Sequence, residues 1–211
     1  MFPFDAEVLT SLYGRYNAEV WPAQVVALAL ALAAVWLSLA PRRFGARAIG
    51  LALAGGWLWC GAVFFLGYLA QFDFMAPVYG GAFLVQAGVL LWVLVWRQRP
   101  PASQPDGFGA AGLLLAFLAI IGLPLVSGLG EAGFAAARIV GIAPGPTVVM
   151  TLALLLLVEG RPPWPAMAVP LLWCGVAAVT GWALALPEAL AVAFLGALAT
   201  GLILWKGWRL R

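Results

Sequence analysis

The chain has 211 residues, 65% of them hydrophobic and 9% charged, with a net charge of +3 and a mean hydropathy of +1.04. Soluble domains carry about 25% charged and about 45–50% apolar residues, so this composition excludes a soluble globular protein. The chain has no histidine, and its two cysteines form no Cys-x-x-Cys pair. That excludes haem ligation through His, zinc sites built on His, and His general-base catalysis.

Residues 2–19 come first. Phe2, Phe4, Val8, Leu9, Leu12, Tyr13 and Tyr16 fall at near-helical spacing among Asp5, Glu7, Arg15 and Glu19. This pattern predicts an interfacial amphipathic helix. No basic region precedes an apolar core, so no cleaved signal peptide is expected. Apolar blocks then follow at 20–40, 48–71, 76–97, 108–127, 145–159, 165–185 and 188–208. Most approach the ~20 residues with which a helix crosses the ~30 Å hydrocarbon core. The alternating segments of a membrane β-barrel are absent. The fold class expected is therefore all-α, an integral membrane protein with seven transmembrane helices.

The fifth block is short, and Ala143-Pro144-Gly145-Pro146-Thr147 before it predicts an unwound or tilted entry. The polar, proline-rich segment 98–107 reads as a flexible loop. Residues 128–144 read as a longer outer loop with a short helix carrying Arg138. Arg42, Arg43, Arg47, Arg97, Arg99, Arg161, Lys206, Arg209 and Arg211 all follow odd-numbered blocks. The positive-inside rule then gives an outside N-terminus and a cytoplasmic C-terminus. In a bacterium this is the inner membrane. The positive charge is this bias and not a nucleic-acid footprint.

Both cysteines sit in one repeated word, Leu58-Trp59-Cys60-Gly61 and Leu172-Trp173-Cys174-Gly175. Sliding the chain by 114 positions also matches Ala52 with Ala166, Ala54 with Ala168 and Gly67 with Gly181. Trp96-Arg97-Gln98-Arg99 likewise mirrors Trp208-Arg209-Leu210-Arg211. The expectation is a parallel 3+1+3 internal repeat. It divides the chain into an N-terminal segment (1–19), a first triple-helix repeat (20–97), a linker with the fourth helix and outer loop (98–144), and a second repeat (145–211).

Few polar residues lie inside the blocks, and no ionisable residue lies near a block centre. Asp73, Glu131, Arg138 and Glu188 fall at boundaries and read as solvated anchors. Cys60 and Cys174 read as small packing residues. Gln86 and Thr200 are roughly repeat-equivalent. A buried glutamine either bonds a neighbouring helix or lines a wet cavity, because hydrocarbon leaves it unpaired. Trp59 and Trp173 are central and away from the interfacial belts. They read either as core packing or as aromatic walls of a site. With Gln24 near the start of the first block, these five are the candidate substrate-binding residues.

The 3+1+3 layout resembles the SWEET and semi-SWEET sugar transporters, which carry a proline in the first helix of each triple-helix repeat. Pro22 with Gln24, and Pro146, stand in comparable places, although the adjacent Pro-Gln pair is missing. A second resemblance covers nearly the whole chain. Tyr16-Asn17, Trp21-Pro22-Ala23-Gln24, Trp57-Leu58-Trp59 with Gly61, Pro144 with Pro146-Thr147, Pro170-Leu171-Leu172-Trp173 and Glu188 resemble an uncharacterised bacterial family of small multi-pass membrane proteins. That family's pattern tends to have a cysteine where Gly145 stands and a histidine in the preceding loop. It implies spans, and no chemistry.

The expectation for function is a small-solute transporter with its site between the two repeats, taking a neutral solute and needing no cofactor or metal. The alternative is a non-catalytic subunit or assembly factor of a membrane complex. A homo-oligomer or a complex partner fits either reading, and nucleic acid fits neither. The only lysine, Lys206, lies at the end of the last block, which argues against a retinal receptor. No nucleophile–base pair or metal set can be assembled, so an enzyme is not expected.

Overall fold

The computed structural model describes residues 5–39, 44–97, 101–104, 106–130, 133–160 and 163–209. Phe2, Phe4, Arg42, Arg43, Arg99, Glu131, Arg161 and Arg211 lie outside them. The described residues are all-helical, with one isolated bridge between Pro101 and Val158 and no strand. The helices are α1 (Ala6–Glu19), α2 (Ala23–Leu39), α3 (Gly45–Gln71), α4 (Ala76–Trp96), α5 (Gly107–Gly128), α6 (Pro144–Leu157), α7 (Trp164–Ala183) and α8 (Pro187–Arg209). Each apolar block thus becomes one helix, displaced by at most a few residues.

Five of these helices, α3, α4, α5, α7 and α8, are long and apolar enough to cross a membrane. A sixth span results if α1 and α2, which meet at 90°, are counted as one broken element. The expected fifth block gives only the 14 residues of α6, about 21 Å at 1.5 Å per residue. The reason is where it sits. From Pro146 to Leu157 every residue of α6 is buried, with α5, α7 and α8 packed around it. A helix wrapped by protein does not need to match the bilayer thickness.

The segment before α6 is also interior. Ala137, Val140, Ile142 and Ala143 are buried without being helical. Non-helical backbone at such depth requires protein partners for its polar groups. Tyr16 Oη donates to Ile142 O at 2.9 Å, Asn17 Nδ2 to Ala135 O and Ala137 O at 2.9 Å, and Gly141 N to Thr147 Oγ1 at 2.8 Å. Pro144 and Pro146 lack an N–H, so two of the usual orphan donors of a helix start do not exist here. Arg138 follows the short 3₁₀ turn Gly133–Ala136 instead of riding on it.

α1 forms as expected. Asp5 caps it, accepting from Val8 N at 2.9 Å, and Leu9, Leu12, Tyr13 and Tyr16 are buried. The turn of 90° between α1 and α2 lays it across one end of the bundle, termed the α1 end. At the opposite end, the described part of segment 98–107 is pinned and not loose. Ala102 N bonds Leu157 O, Ser103 N bonds Ser38 O, and Gln104 Nε2 bonds Glu159 Oε1. Lys206 Nζ bonds Leu156 O at 2.8 Å and Val158 O at 3.0 Å, satisfying carbonyls at the end of α6.

The repeated Trp-Cys-Gly word is used differently in its two places. Gly61 faces Gly80 at the α3–α4 crossing, where an added Cβ would lie 3.1 Å from Gly80 O. Gly175 faces open space, and Cys174 instead packs against Gly196 at the α7–α8 crossing. Cys60 turns inward to Gly141 O and Thr147 Oγ1, 3.9 and 3.8 Å away. α2 exposes Val25, Val26, Leu30 and Leu32, whereas its sequence counterpart α6 is interior.

Candidate functional site

The five sequence-predicted site residues do not converge. Gln24 Nε2 donates to Asn17 O at 2.5 Å in the α1–α2 turn. Gln86 is fully buried, and its Nε2 donates to Ala166 O at 2.7 Å, which is the interhelical bond considered above. Among the described residues the amide oxygens of both glutamines have no hydrogen-bond partner. Thr200 Oγ1 donates to Gly196 O of its own helix at 2.7 Å. Trp59 and Trp173 face two different cavities.

Trp59 lines a groove of about 340 Å³ between α2 and α3, walled by Ala27, Ala31, Gly55 and Gly56 and floored by Met150. Its Nε1 donates to Tyr16 Oη at 2.7 Å. The groove is otherwise apolar, so it can take a hydrocarbon chain or another helix but offers little to orient a polar molecule.

Trp173 lines a smaller cavity of about 70 Å³ beneath α1. Its walls are Tyr13 of α1, Phe64 and Phe65 of α3, Tyr79 of α4, and Trp173 with Thr180 of α7. Phe64 and Phe65 are adjacent in sequence, yet both are buried. They lie in the π-helical stretch Cys60–Tyr68, and such widened turns occur frequently at functional sites. Trp173 stands edge-on to Phe65, Tyr79 and Phe83 at 5.2, 5.7 and 5.2 Å between ring centroids, and Tyr13 stacks on Phe64 at 4.9 Å. These packing geometries hold each ring in place.

At this end Asp73 and Glu188 are buried and Arg138 is largely covered, which corrects the expectation that they are solvated anchors. Arg138 Nη2 meets Glu188 Oε1 at 2.7 Å, with side-chain exposures of 12% and 11%. The same guanidinium lies 4.4 Å over the Tyr13 ring. Asp73, only 7% exposed, lines the cavity with Arg138. Asp73 Oδ1 accepts from Met75 N at 2.8 Å and thereby shapes the α3–α4 turn. Chain folding explains the difference. α1 and segment 133–143 cover boundary positions that would otherwise meet water. Arg15 and Glu19, by contrast, keep to the exposed side of α1. There the Arg15 guanidinium, and after it the Tyr68 hydroxyl, hold the Glu19 carboxyl below the usual carboxylate range.

Tyr13 and Arg138 also line a second, wider space of about 570 Å³ at the α1 end, bordered by Glu7, Thr10, Ser127 and Glu188. A polar vestibule and an aromatic cavity therefore have these two side chains in common. Read from the sequence, Asp73, Arg138 and Glu188 are solvated anchors with no part in a site. The available signal was the placement of Asp73 between Phe72 and Phe74, a charge in a short turn flanked by aromatic residues. Among the described residues no group of three or more Cys, Asp and Glu could hold a metal ion.

Comparison with known proteins gives a family and no activity. Residues 6–211 match the model of a family of unknown function, DUF6064, and the chain belongs to that family. No curated protein and no solved structure matches the chain.

Proposed function

We propose that this DUF6064 member is a small-solute transporter. In this reading it crosses the membrane seven times, with the α1 end outside and the C-terminus in the cytoplasm of a bacterium. One observation carries the reading. The Trp173 cavity lies between α3–α4 on one side and α7–α8 on the other, and Tyr13 and Arg138 line both it and a polar vestibule. These two walls belong to the units that the sequence repeat groups as 20–97 and 145–211, and repeat interfaces are where transporters place their substrates. The interior non-helical segment before α6 supports the same reading, since broken elements at membrane depth are tolerated where they line cavities. Arg47, Arg97, Lys206 and Arg209 all fall at the end opposite α1, in keeping with the positive-inside rule. The SWEET-like layout fits this general plan, but the unlike surroundings of Cys60 and Cys174 give no support to strict two-fold equivalence. No step of this function requires covalent chemistry, so the reading is non-enzymatic.

The test is uptake into proteoliposomes with a panel of small solutes, wild type against Trp173→Ala and Trp59→Ala. Loss of flux on changing Trp173, with Trp59→Ala retaining it, is the expected pattern. Absence of flux for every solute, with a stable membrane partner co-purifying, would favour the alternative of a non-catalytic subunit. That alternative draws on the groove between α2 and α3, whose alanines and glycines suit close approach of another helix.

A further inference from the structure

We infer that the Trp173 cavity binds a small organic cation, of the methylated or quaternary ammonium class. The inference deepens the transport reading and rests on it for the purpose of the site. Five rings, Tyr13, Phe64, Phe65, Tyr79 and Trp173, bound the cavity. Aromatic faces attract cations through their quadrupole, and enclosures of several rings are how quaternary ammonium groups are recognised.

The charge balance gives the sign. Arg138 is neutralised by Glu188 at 2.7 Å and covered by the Tyr13 ring. Asp73 lines the same cavity, is nine-tenths buried, and forms no ion pair among the described residues. Among the described residues its carboxylate accepts one hydrogen bond, from Met75 N, and meets no cation in an ion pair, so its negative charge is left uncompensated against the rings. A desolvated carboxylate without a counter-charge is unfavourable, and a cation in the cavity would supply it. An anion would meet Asp73 with no free guanidinium to receive it. This departs from the neutral solute expected from sequence, because that expectation placed Asp73 in water.

Size narrows the class. The cavity of about 70 Å³ is about twice the roughly 30 Å³ that one water takes in the liquid, so it selects for the smallest members of the class. Tetramethylammonium is the smallest quaternary member, and tert-butanol is a neutral molecule of nearly the same shape.

The experiment is calorimetric titration of the purified full chain in nanodiscs with tetramethylammonium chloride, sodium chloride at matched ionic strength, and tert-butanol. Saturable one-to-one binding of tetramethylammonium is expected, at least about tenfold tighter than tert-butanol, since the neutral analogue lacks both the ring attraction and the countercharge. Asp73→Asn and Trp173→Leu should each weaken it about tenfold or more. Equal affinity for tert-butanol, no saturable binding of tetramethylammonium, or an unaltered affinity in Asp73→Asn overturns the assignment. The comparison of the two ligands on the wild type decides the matter even if a variant does not fold. Flux of tetramethylammonium into liposomes is read separately. Binding without flux leaves the cation site standing and removes transport, whereas flux of a neutral solute without cation binding does the reverse.

Discussion

The Arg138–Glu188 pair offers the sharpest check on the buried end of the molecule. Both side chains are about nine-tenths removed from solvent, and the N–O distance is 2.7 Å. Removing one partner of such a pair strands the other charge, which costs about 3–5 kcal/mol, whereas a surface pair contributes about 0–1 kcal/mol. Arg138 also lies over Tyr13, a contact worth up to about 2 kcal/mol when desolvated. Glu188→Leu and Arg138→Met should therefore each lower the unfolding midpoint of the detergent-solubilised protein by roughly 6–20 °C, at about 2–4 °C per kcal/mol for a chain of this size. The double variant Arg138→Met/Glu188→Leu should recover most of the loss, because replacing a buried pair by apolar groups is often neutral. The assay is thermal unfolding followed by tryptophan fluorescence, completed as a double-mutant cycle. Additive effects, with a coupling below about 0.5 kcal/mol, would show that the pair is solvated and that α1 does not seal this end.

Three further outcomes are expected from the packing. Gly196→Ala should destabilise by about 1–3 kcal/mol, because a methyl there would overlap Cys174 Sγ; Cys174→Ala in the same chain should restore the midpoint. Thr151→Val removes the acceptor of the fully buried Trp57 Nε1, which donates at 2.8 Å. A loss of about 1–3 kcal/mol is expected, and Trp57→Phe/Thr151→Val should be milder than the single change when both are followed by chemical unfolding. Lys206→Met deprives Leu156 O and Val158 O of their donor. Limited proteolysis should then cleave at 101–104, a stretch that resists cleavage in the wild type because it is bonded to the end of α6 and to α2.

Helix positions were legible in the residues because hydropathy is a local property: an apolar run long enough to cross a bilayer satisfies its backbone groups internally as a helix. The inward stripe Leu9, Leu12, Tyr13 and Tyr16 of α1 follows from near neighbours in sequence, whereas the entry to α6, expected to be unwound or tilted, is regular helix from Pro144. Family membership, too, rests on the sequence over residues 6–211. Which helix becomes the centre is not local. α2 and α6 are equally apolar in sequence, yet only α6 is enclosed, because its neighbours α5, α7 and α8 surround it. The candidate site depended on tertiary structure still more. Asp73, Arg138 and Glu188 look like interfacial charges when read one at a time, since a boundary position normally meets water. Only the turn of 90° after α1, and the inward course of residues 137–143, withdraw them from it. The rings of α1, α3, α4 and α7 are brought around one carboxylate by contacts between residues up to 160 positions apart, from Tyr13 to Trp173. No pattern along the chain encodes that meeting, because it arises from how whole helices pack and not from any segment's own preference.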